Sequence, residues 1–336
     1  MLKFGIVGCG HVAKRHAEQM AAIGELIAVC DIDGKKAFEF SQAYNAKSYT
    51  DLIDLLNNER SIDVIAICTP NFLHAEQTIT SLRNGFHVVC EKPMSIKIFD
   101  CELMIEEAKK SGKKLFVVKQ NRFNPPVQAT KKLLDEKKLG KIYSVHLNCI
   151  WNRDESYYRD SLWKGKKNLD GGILYTQFSH FIDLLYWMFG DIKIISAYIA
   201  NNSHKQIEFE DSCVASAVFD SGVLVSMHFS INSFAKNMEG SLTIIAENGT
   251  IKIGGEYLNK LEYQNIKDFE IESLDAGNPA NDYGSYKGSM SNHDKFYKHI
   301  SDVLTNGAAN EFDGSAGLET VRMIEKIYRS ANEALN

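Results

Sequence analysis

The sequence predicts an α/β domain with a doubly wound parallel sheet, followed by an α+β domain with a mostly antiparallel open sheet. Before about residue 120, short apolar segments alternate with helical stretches, a pattern typical of parallel strands covered on both faces. After it, strands of alternating polarity are separated by Asp220–Gly222 and Glu247–Thr250, which are hairpin-turn sequences. We therefore place the two domains at residues 1–120 and 121–336.

Each predicted element follows from the local hydrophobic period and from the residues that begin or end it. In the first domain we expect strands at 3–7, 26–30, 62–68, 87–90 and 115–118, and helices at 11–22, 75–83 and 98–111. In the second we expect a helix at 127–137, a strand at 142–148, a polar loop at 151–171, a helix at 172–189, a long loop at 275–292 and closing helices at 293–304 and 316–334. The last helix is a candidate to pack back on the first domain.

The composition excludes several classes of protein. The apolar and charged fractions of 44% and 24% are ordinary for a soluble globular chain, and the net charge of −5 argues against nucleic-acid binding. No apolar run reaches the roughly 20 residues that a membrane helix needs. The seven cysteines are odd in number and have no C-x-x-C spacing, so we expect reduced thiols, no bound metal and a cytoplasmic location.

A glycine-rich turn joins the first predicted strand to the first helix. Residues Gly8–Ala13 have the pattern G-x-G-x-x-A. Gly8 permits a tight turn, Gly10 lets a pyrophosphate approach the backbone, and Ala13 lets the helix pack closely on the strand. The free N–H groups at the start of the helix then face the phosphate charge. This arrangement predicts a Rossmann dinucleotide-binding domain.

An acidic residue ends the second predicted strand and indicates which dinucleotide binds. Asp31 follows Gly10 by 21 residues, at the place where a carboxylate can accept both ribose hydroxyl groups of NAD. The same negative charge repels the additional phosphate of NADP. The sequence therefore favours NAD as the cofactor over NADP.

Two further turns follow strands of the parallel sheet and should face the same cofactor, because ligands bind outside the carboxyl ends of such strands. Thr69–Asn71 is one of them, although these residues also suit an ordinary strand-to-helix turn. Glu91–Pro93 is the other, and alone it would read as a surface turn. Burial and the charge of oxidised nicotinamide would lower the pKa of Lys92, which could then exchange a proton with a substrate hydroxyl.

The helix expected at 172–189 carries polar side chains on one face. Four residues recur at spacings of four, three and four, namely Thr176, His180, Asp183 and Trp187. His180 is the candidate for chemistry, and the alternative is a histidine packed in the core.

Three motifs together resemble a known family: Gly8–Ala13, Glu91–Pro93 and Gly171–His180. The family is Gfo/Idh/MocA, named for glucose–fructose oxidoreductase, inositol dehydrogenase and rhizopine catabolism, and the resemblance runs nearly end to end. It implies an NAD(P)-dependent oxidoreductase that acts on a sugar, polyol or nucleotide sugar, as a homodimer or homotetramer. It also implies that Lys92 binds and polarises the reacting hydroxyl and that His180 is a general acid/base.

One position departs from the family pattern. Where many members carry an aspartate one helical turn before the histidine, this chain has Thr176. Threonine cannot hold a charge against an imidazolium, so the basicity of His180 should be weaker unless Asp183 substitutes. We expect Lys92 to be the main proton-transfer residue and His180 to position the sugar, with the division of roles between the two left open.

The segment from Trp151 to Lys167 interleaves cations with aromatic rings. Rings stack on sugars or bases and cations bind phosphate or carboxylate, although acidic residues partly offset the cations and a solvated loop explains the pattern equally well. The Trp163–Gly165 loop and the following glycine pair resemble the subgroup that oxidises UDP-linked amino sugars at carbon 3. We therefore expect a dehydrogenase of the UDP-N-acetylglucosamine or uronate type. The alternatives are a free sugar or inositol dehydrogenase, an NAD-dependent glycosidase, and a non-catalytic NAD- and sugar-sensing protein.

The residues expected to form the site fall into three groups. The catalytic residues are Lys92 and His180. The cofactor-binding residues are Gly8, Cys9, Gly10, His11, Val12, Ala13, Asp31, Thr69, Pro70, Asn71, Glu91, Lys92 and Gln120. The substrate-binding residues are Lys92, Asn121, Arg122, Arg153, Trp163, Lys164, Thr176, Gln177 and His180. By the resemblance, Gln120, Asn121 and Arg122 line the nicotinamide and substrate side.

Overall fold

The computed structural model describes residues 1–159, 161–284 and 286–333. Its internal contacts divide the chain into two units. Unit 1 comprises residues 1–119 and 293–321, and unit 2 comprises residues 120–292 and those from 322 onward. From the sequence we expect residues 293–321 in the second domain, with the last helix a candidate to pack back on the first, and the internal contacts group this segment with unit 1.

Unit 1 is built on a six-stranded parallel sheet. Its strands are β1 (Leu2–Val7), β2 (Gly24–Cys30), β3 (Lys47–Tyr49), β4 (Val64–Ile67), β5 (His87–Cys90) and β6 (Leu115–Val117). They lie in the order β3-β2-β1-β4-β5-β6, and each neighbouring pair is parallel. The strand order reverses between β1 and β4, and ligands bind this kind of sheet outside the carboxyl ends of the strands at that point. The expected doubly wound sheet is confirmed.

The helices of unit 1 begin and end at residues suited to those positions. They are α1 (His11–Ile23), α2 (Gly34–Tyr44), α3 (Leu52–Asn58), α4 (His74–Arg83), α5 (Ile98–Ser111) and, near the end of the chain, α11 (His293–Asn306). The carboxylates of Asp33 and Asp51 accept backbone N–H groups at the starts of α2 and α3. Gly112 ends α5 in the left-handed conformation. Because α11 packs against α1, the 293–321 segment belongs to unit 1.

Unit 2 is built on a seven-stranded sheet. Its strands are β7 (Ile142–Ile150), β8 (Ile192–Ala200), β9 (Ser212–Phe219), β10 (Leu224–Ser230), β11 (Glu239–Ala246), β12 (Gly249–Gly254) and β13 (Lys260–Ile266). The order is β13-β12-β11-β7-β10-β9-β8, and β7 with β10 is the parallel pair among antiparallel ones. The mostly antiparallel sheet expected here is confirmed.

One face of the unit 2 sheet is solvent-exposed and partly apolar. β9 and β10 bury alternate side chains, as a sheet covered on one side does. The other face exposes several large side chains, namely Tyr198, Val214, Leu224 and Ile245.

The helices of unit 2 are mostly single turns. They are α6 (Pro125–Asp135), α7 (Glu155–Arg159), α8 (Lys167–Asp170), α9 (Ile173–Thr176) and α10 (Ser179–Phe189). The last helix, α12 (Gly314–Glu333), has its first residues in unit 1 and its later ones in unit 2. Within the described ranges, every helix is too short or too polar to cross a membrane.

The helix expected at 172–189 is wrong in one respect, because the chain breaks it into α9 and α10. Phe178 has φ −111° and ψ 0°, which is not helical geometry. Its ring is fully buried and packs against Trp151 and Phe229, so tertiary packing overrides the helical pattern. Thr176 therefore lies on a separate turn from His180 and does not extend the polar face of α10.

The long loop expected at 275–292 is also wrong in part. Two short antiparallel strands occupy it, β14 (Ala280–Asp282) and β15 (Lys287–Met290). The side-chain amide of buried Asn281 donates to the carbonyl of Ser289. The abundant Gly, Ser, Asn and Asp that suggest a loop here thus sit partly in a hairpin held by side-chain hydrogen bonds.

A crowded glycine fixes the start of α9. Gly172 has φ +127° and ψ 171°, a combination that is essentially restricted to glycine. A Cβ there would overlap the Tyr328 hydroxyl and would lie 3.1 Å from Glu210 Oε1. The Glu210 carboxylate accepts hydrogen bonds from that hydroxyl at 2.5 Å and from the N–H of Ile173 at 3.1 Å. The turn before α9 is therefore held by Glu210, which lies just before β9, and by Tyr328 of the last helix, both in the same unit.

Gly172→Ala should destabilise the protein more than Gly190→Ala. Both glycines have positive φ and extended ψ, so the backbone strain is matched at about 1–3 kcal/mol. Only Gly172 is crowded, since nothing lies within 4 Å of a Cβ at Gly190, and overpacking costs a further 1–3 kcal/mol, roughly. Urea unfolding measures the difference, and equal losses in the two variants would contradict the role of the brace.

Candidate active site

The glycine-rich turn of unit 1 has the geometry that a diphosphate requires. Gly8 has φ +91°, and a Cβ there would lie 2.8 Å from the carbonyl oxygen of Cys68, so the turn needs glycine. Gly10 is the N-cap residue of α1 and supplies no side-chain cap. No described atom lies within 4 Å of the place where a Cβ of Gly10 would be. That open space beside the first N–H groups of α1 fits a phosphate of the cofactor.

The remaining residues of the glycine-rich turn differ in burial. Ala13 is fully buried, which allows close packing of α1, while His11 is exposed and Val12 half-buried. Burial, helped by the charge of Asp31, raises the pKa of the Cys9 thiol to about 12. The thiol therefore stays protonated, and the N–H of Cys9 is the group that takes part in the turn.

Asp31 holds the backbone of the glycine-rich turn through its side chain. Its two carboxylate oxygens accept the N–H of Cys9 at 2.8 Å and the N–H of Asp33 at 2.9 Å. The side chain is half-buried, and each oxygen keeps a further lone pair. The carboxylate can therefore accept ribose hydroxyls while it fixes the backbone around it.

The turn after β4 is tied to the turn after β5 by a buried histidine. Pro70 precedes a 3₁₀ turn at Asn71–Leu73, and buried Asn71 lies at its start. The Thr69 hydroxyl donates to Gln77 at 2.6 Å. His74, 1% exposed, has Nε2 2.8 Å from the Thr69 carbonyl and Nδ1 2.7 Å from the Pro93 carbonyl.

Lys92 lies in a segment with well-defined neighbours. Its side chain is half-buried, while Glu91 and Pro93 are buried, and the peptide bond to Pro93 is cis. One oxygen of the Glu91 carboxylate accepts the N–H of Lys92 at 3.0 Å. The other accepts from Nε2 of His16 at 2.8 Å, and Nδ1 of His16 lies 2.7 Å from the Tyr297 hydroxyl.

The Glu91 carboxylate is a buried negative charge. Burial favours its neutral form, yet the hydrogen bond from His16 and the nearby His293 ring hold the pKa of Glu91 well below its usual range. Burial lowers the pKa of His16. Glu91 is thus ionised and His16 neutral near pH 7.

His16, Glu91 and His293 also form a compact group of possible metal ligands, with ligating atoms within 4.8 Å of one another. The 2.8 Å between His16 Nε2 and Glu91 Oε1 is a hydrogen-bond distance, whereas two ligands around tetrahedral zinc lie about 3.3 Å apart. The distance therefore indicates a hydrogen bond between His16 and Glu91 and not a pair of zinc ligands.

In unit 2, the charge of Asp183 is balanced by Arg122. The guanidinium donates to both carboxylate oxygens, at 2.8 and 2.7 Å, and both side chains are almost fully buried. The guanidinium carbon lies 5.1 Å from the Trp187 ring centre. Because this pair is bidentate and desolvated, Asp183 has a cation other than an imidazolium as its partner. The compensation of Thr176 by Asp183 stays a prediction.

Thr176 joins α9 to the loop before it. Its hydroxyl donates to the carboxylate of fully buried Asp170, which also accepts the N–H of Gly165 at 2.8 Å. Asp170 thereby joins Thr176 to Gly165, the residue that follows Lys164.

Several expected site residues of unit 2 have buried polar atoms without a hydrogen-bond partner among the described residues. They are Oε1 of Gln120, both amide atoms of Asn121, Nε of Arg153 and Oε1 of Gln177, together with the hydroxyl of neighbouring Ser179. An unsatisfied buried polar group costs about 1–3 kcal/mol. A polar ligand would satisfy those on predicted site residues, although other such atoms lie elsewhere, for example on Thr78, Asn201 and His299.

Two cations lie among tyrosine rings in the same unit. The Arg153 guanidinium carbon is 5.3 Å from the Tyr157 ring centre and 4.9 Å from that of Tyr286. The Lys164 ammonium lies 3.8 Å from the Tyr157 ring centre, and Tyr157 accepts a long 3.4 Å contact from the Gln177 amide. Burial lowers the pKa of Lys164 to about 8, although Asp170 opposes the shift. We call Arg153, Lys164, Tyr157 and Tyr286 the cation–tyrosine cluster; half-buried Trp163 precedes Lys164 in the chain.

Sequence reasoning missed the buried partners of the predicted residues. His16, His74 and Glu210 each hydrogen-bond a motif segment from inside the core. For two of them a signal exists: His16 lies three residues after Ala13 on the core face of α1, and His74 begins α4 just after the Thr69–Asn71 turn.

The chain matches one family over nearly its whole length. Residues 2–119 match the oxidoreductase family, NAD-binding Rossmann fold, and residues 131–334 match its C-terminal alpha/beta domain. The protein therefore belongs to the Gfo/Idh/MocA oxidoreductase family. It is an NAD-binding dehydrogenase that acts on a CH–OH group.

Individual relatives show what the chain is similar to. Inositol 2-dehydrogenase of Salmonella typhimurium is 27% identical over 69% of this chain and 68% of its own length, and glucose-6-phosphate 3-dehydrogenase of Bacillus subtilis is 24% identical over 86% of each. The crystal structure of the WlbA dehydrogenase from Bordetella pertussis, in complex with NADH and UDP-GlcNAcA, has TM-score 0.89 and 32% identity, over 99% of this chain and 97% of that one. The WlbA dehydrogenase from Chromobacterium violaceum, in complex with the same ligands, has TM-score 0.91 and 34% identity, over 99% and 94%.

The buried Glu210 should make stability depend on pH. Burial raises its pKa to about 7, so the folded state keeps a proton that the unfolded chain releases near pH 4.5. Between those pH values the free energy of unfolding should fall as pH rises, by about 3 kcal/mol in total. Glu210→Gln, which keeps an oxygen to accept from Tyr328 and Ile173, should flatten this fall.

Glu208→Gln is the matched control for that measurement. Glu208 is solvent-exposed, lies two residues away, and has its pKa lowered by Lys166. Urea unfolding from pH 5 to 8 should show the wild-type slope in this variant, and the same slope in Glu210→Gln would contradict the assignment.

Proposed function

We propose that this enzyme oxidises or reduces a ring carbon of a nucleotide-linked amino sugar or its uronate, as a UDP-N-acetylglucosamine-type 3-dehydrogenase. The observation that carries the proposal is the cation–tyrosine cluster of unit 2, two partly desolvated cations among aromatic rings. Full-length similarity above 30% to two WlbA dehydrogenases crystallised with UDP-GlcNAcA supports it.

The proposed reaction removes two electrons and two protons from one CH–OH group. NAD, when bound, accepts the hydride from the ring carbon. During oxidation of the ring carbon, Lys92 in its neutral amine form takes the hydroxyl proton. During the reverse reduction, Lys92 returns that proton to the oxygen. His180 binds the sugar, and the Arg122–Asp183 pair fixes the helix that carries His180.

The anionic part of the substrate would bind the cation–tyrosine cluster. Nε of Arg153 has no hydrogen-bond partner within residues 1–159, 161–284 and 286–333, while its other nitrogens donate to the carbonyls of Asn152 and Lys287. Burial removes water from the Lys164 ammonium and lowers its pKa to about 8, so a carboxylate or diphosphate would stabilise the charge. Gln177, next to Tyr157, would donate or accept at a sugar hydroxyl.

A free sugar or inositol dehydrogenase is the second candidate. The likeness to inositol 2-dehydrogenase favours it, and an uncharged substrate would make no use of Lys164.

The homodimer or homotetramer implied by the family resemblance stays a prediction. The exposed face with Tyr198, Val214, Leu224 and Ile245 supports it, because a second copy would remove these side chains from water.

Lys92→Met should abolish most turnover and leave NAD binding intact. Loss of a positioned acid/base costs on the order of 10² to 10⁴ in kcat, while the dissociation constant for NADH, measured by its fluorescence, should change little. Lys97→Met, at an exposed lysine in the same segment, is the control. Near-normal turnover in Lys92→Met would refute the role of Lys92, and release of a leaving group without net NADH would indicate the glycosidase alternative.

Lys164→Met should weaken binding of anionic substrates specifically. In thermal-shift titrations with NAD present, UDP-GlcNAcA should raise the melting temperature of the wild type, and Lys164→Met should lose most of that shift. Lys166→Met is the control, because its ammonium pairs with Glu208 at the surface. Stabilisation by inositol or glucose alone, unchanged in Lys164→Met, would favour the second candidate.

A further inference from the structure

Lys92 is flanked by two groups that are each held by a buried histidine. Before it, the Glu91 carboxylate accepts the N–H of Lys92 at 3.0 Å and a hydrogen bond from His16 at 2.8 Å. After it, the Pro93 carbonyl lies 2.7 Å from Nδ1 of His74. All of these residues lie in unit 1, so the segment is braced on both sides from one core.

The contacts of His16 define its tautomer. A carboxylate only accepts hydrogen bonds, so Nε2 of His16 carries the proton that faces Glu91. Nδ1 is then the acceptor for the Tyr297 hydroxyl at 2.7 Å. The result is a continuous chain in which Tyr297 donates to His16, and His16 and the N–H of Lys92 both donate to Glu91. Every one of the three side chains is at least nine-tenths buried.

Unlike His16, which contacts a carboxylate, His74 contacts the backbone of two turns. Its two ring nitrogens face the carbonyls of Thr69 and Pro93. Since a carbonyl oxygen also only accepts, a neutral ring donates to one of them and an imidazolium to both. In either form the ring sets the spacing between the turn after β4 and the residue that follows Lys92.

We propose that His16 and His74 are positioning residues that hold the backbone of Lys92 in the place its proton transfer requires. The inference rests on the proposed function of Lys92. Both histidines are at most 1% exposed, so they act through Glu91 and Pro93 and do not touch the substrate. A displacement of about 1 Å at a reacting group can cost on the order of 10² in rate, which makes two buried braces on one residue useful.

The test compares variants that remove a brace with variants that keep it. His16→Leu and His74→Leu remove the hydrogen bonds and should lower kcat roughly 10- to 100-fold, with KM for the sugar and Kd for NADH within about threefold. His16→Gln keeps a donor for Glu91 and an acceptor for Tyr297 and should regain most of the loss. Tyr297→Phe removes a single hydroxyl, remains testable if a leucine variant fails to fold, and should lower kcat by a smaller factor.

A second readout does not depend on turnover. The rate at which trinitrobenzenesulfonate labels Lys92, read by peptide mass spectrometry, should change at least about threefold in the leucine variants, while labelling of Lys97 should not change. Normal kcat and normal Lys92 labelling in folded leucine variants, or in Tyr297→Phe, would overturn the proposal. If Lys92→Met is active but the labelling still changes, the proposed function fails while the brace itself stands.

Discussion

The geometry of unit 1 around Lys92 depends on the hydrogen bonds that the buried carboxylate of Glu91 accepts. A charge in that position is costly unless hydrogen bonds replace the lost water, and here a histidine and a backbone N–H do so. Because the N–H belongs to Lys92, the same bonds that stabilise the charge also fix the backbone of the proposed proton-transfer residue. Tyr297 lies on α11 and hydrogen-bonds His16 of α1. This bond helps to hold α11 against α1 within unit 1.

Among its described residues, unit 2 contains two kinds of buried polar group, those with hydrogen-bond partners and those without. Around α9 and α10, the Arg122–Asp183 and Thr176–Asp170 contacts are satisfied internally. In contrast, atoms of Gln120, Asn121 and Gln177 are buried and have no hydrogen-bond partner in the part of the chain that the structure describes. The satisfied groups make the region rigid. The unsatisfied ones carry a desolvation cost that a polar ligand would offset on binding, so stability is given up at the positions where affinity for a sugar would be gained.

The sequence anticipated the parallel sheet and the cofactor because both leave local signals. Continuous apolar strands and the Gly8–Ala13 pattern are short-range features, and the structure and the family match confirm the fold and NAD. The break at Phe178 could not be anticipated, because the helical period continues through it and the cause is packing against Trp151 and Phe229. The β14–β15 hairpin was hidden for a different reason, since strand pairing and the bond between Asn281 and Ser289 outweigh a loop-like composition.

By itself, the sequence determined the family, the two architectures and the place of Lys92 at the end of its strand, since each depends on residues close together in the chain. It placed His180 inside a longer helix, whereas α10 begins at Ser179. Only the tertiary structure decided which groups hold those residues. His16 and Tyr297 are separated from Glu91 by many residues. Glu210, which lies just before β9, meets Tyr328 of α12. Partnerships of this kind arise when elements pack and water is excluded, and no local pattern of residues encodes them.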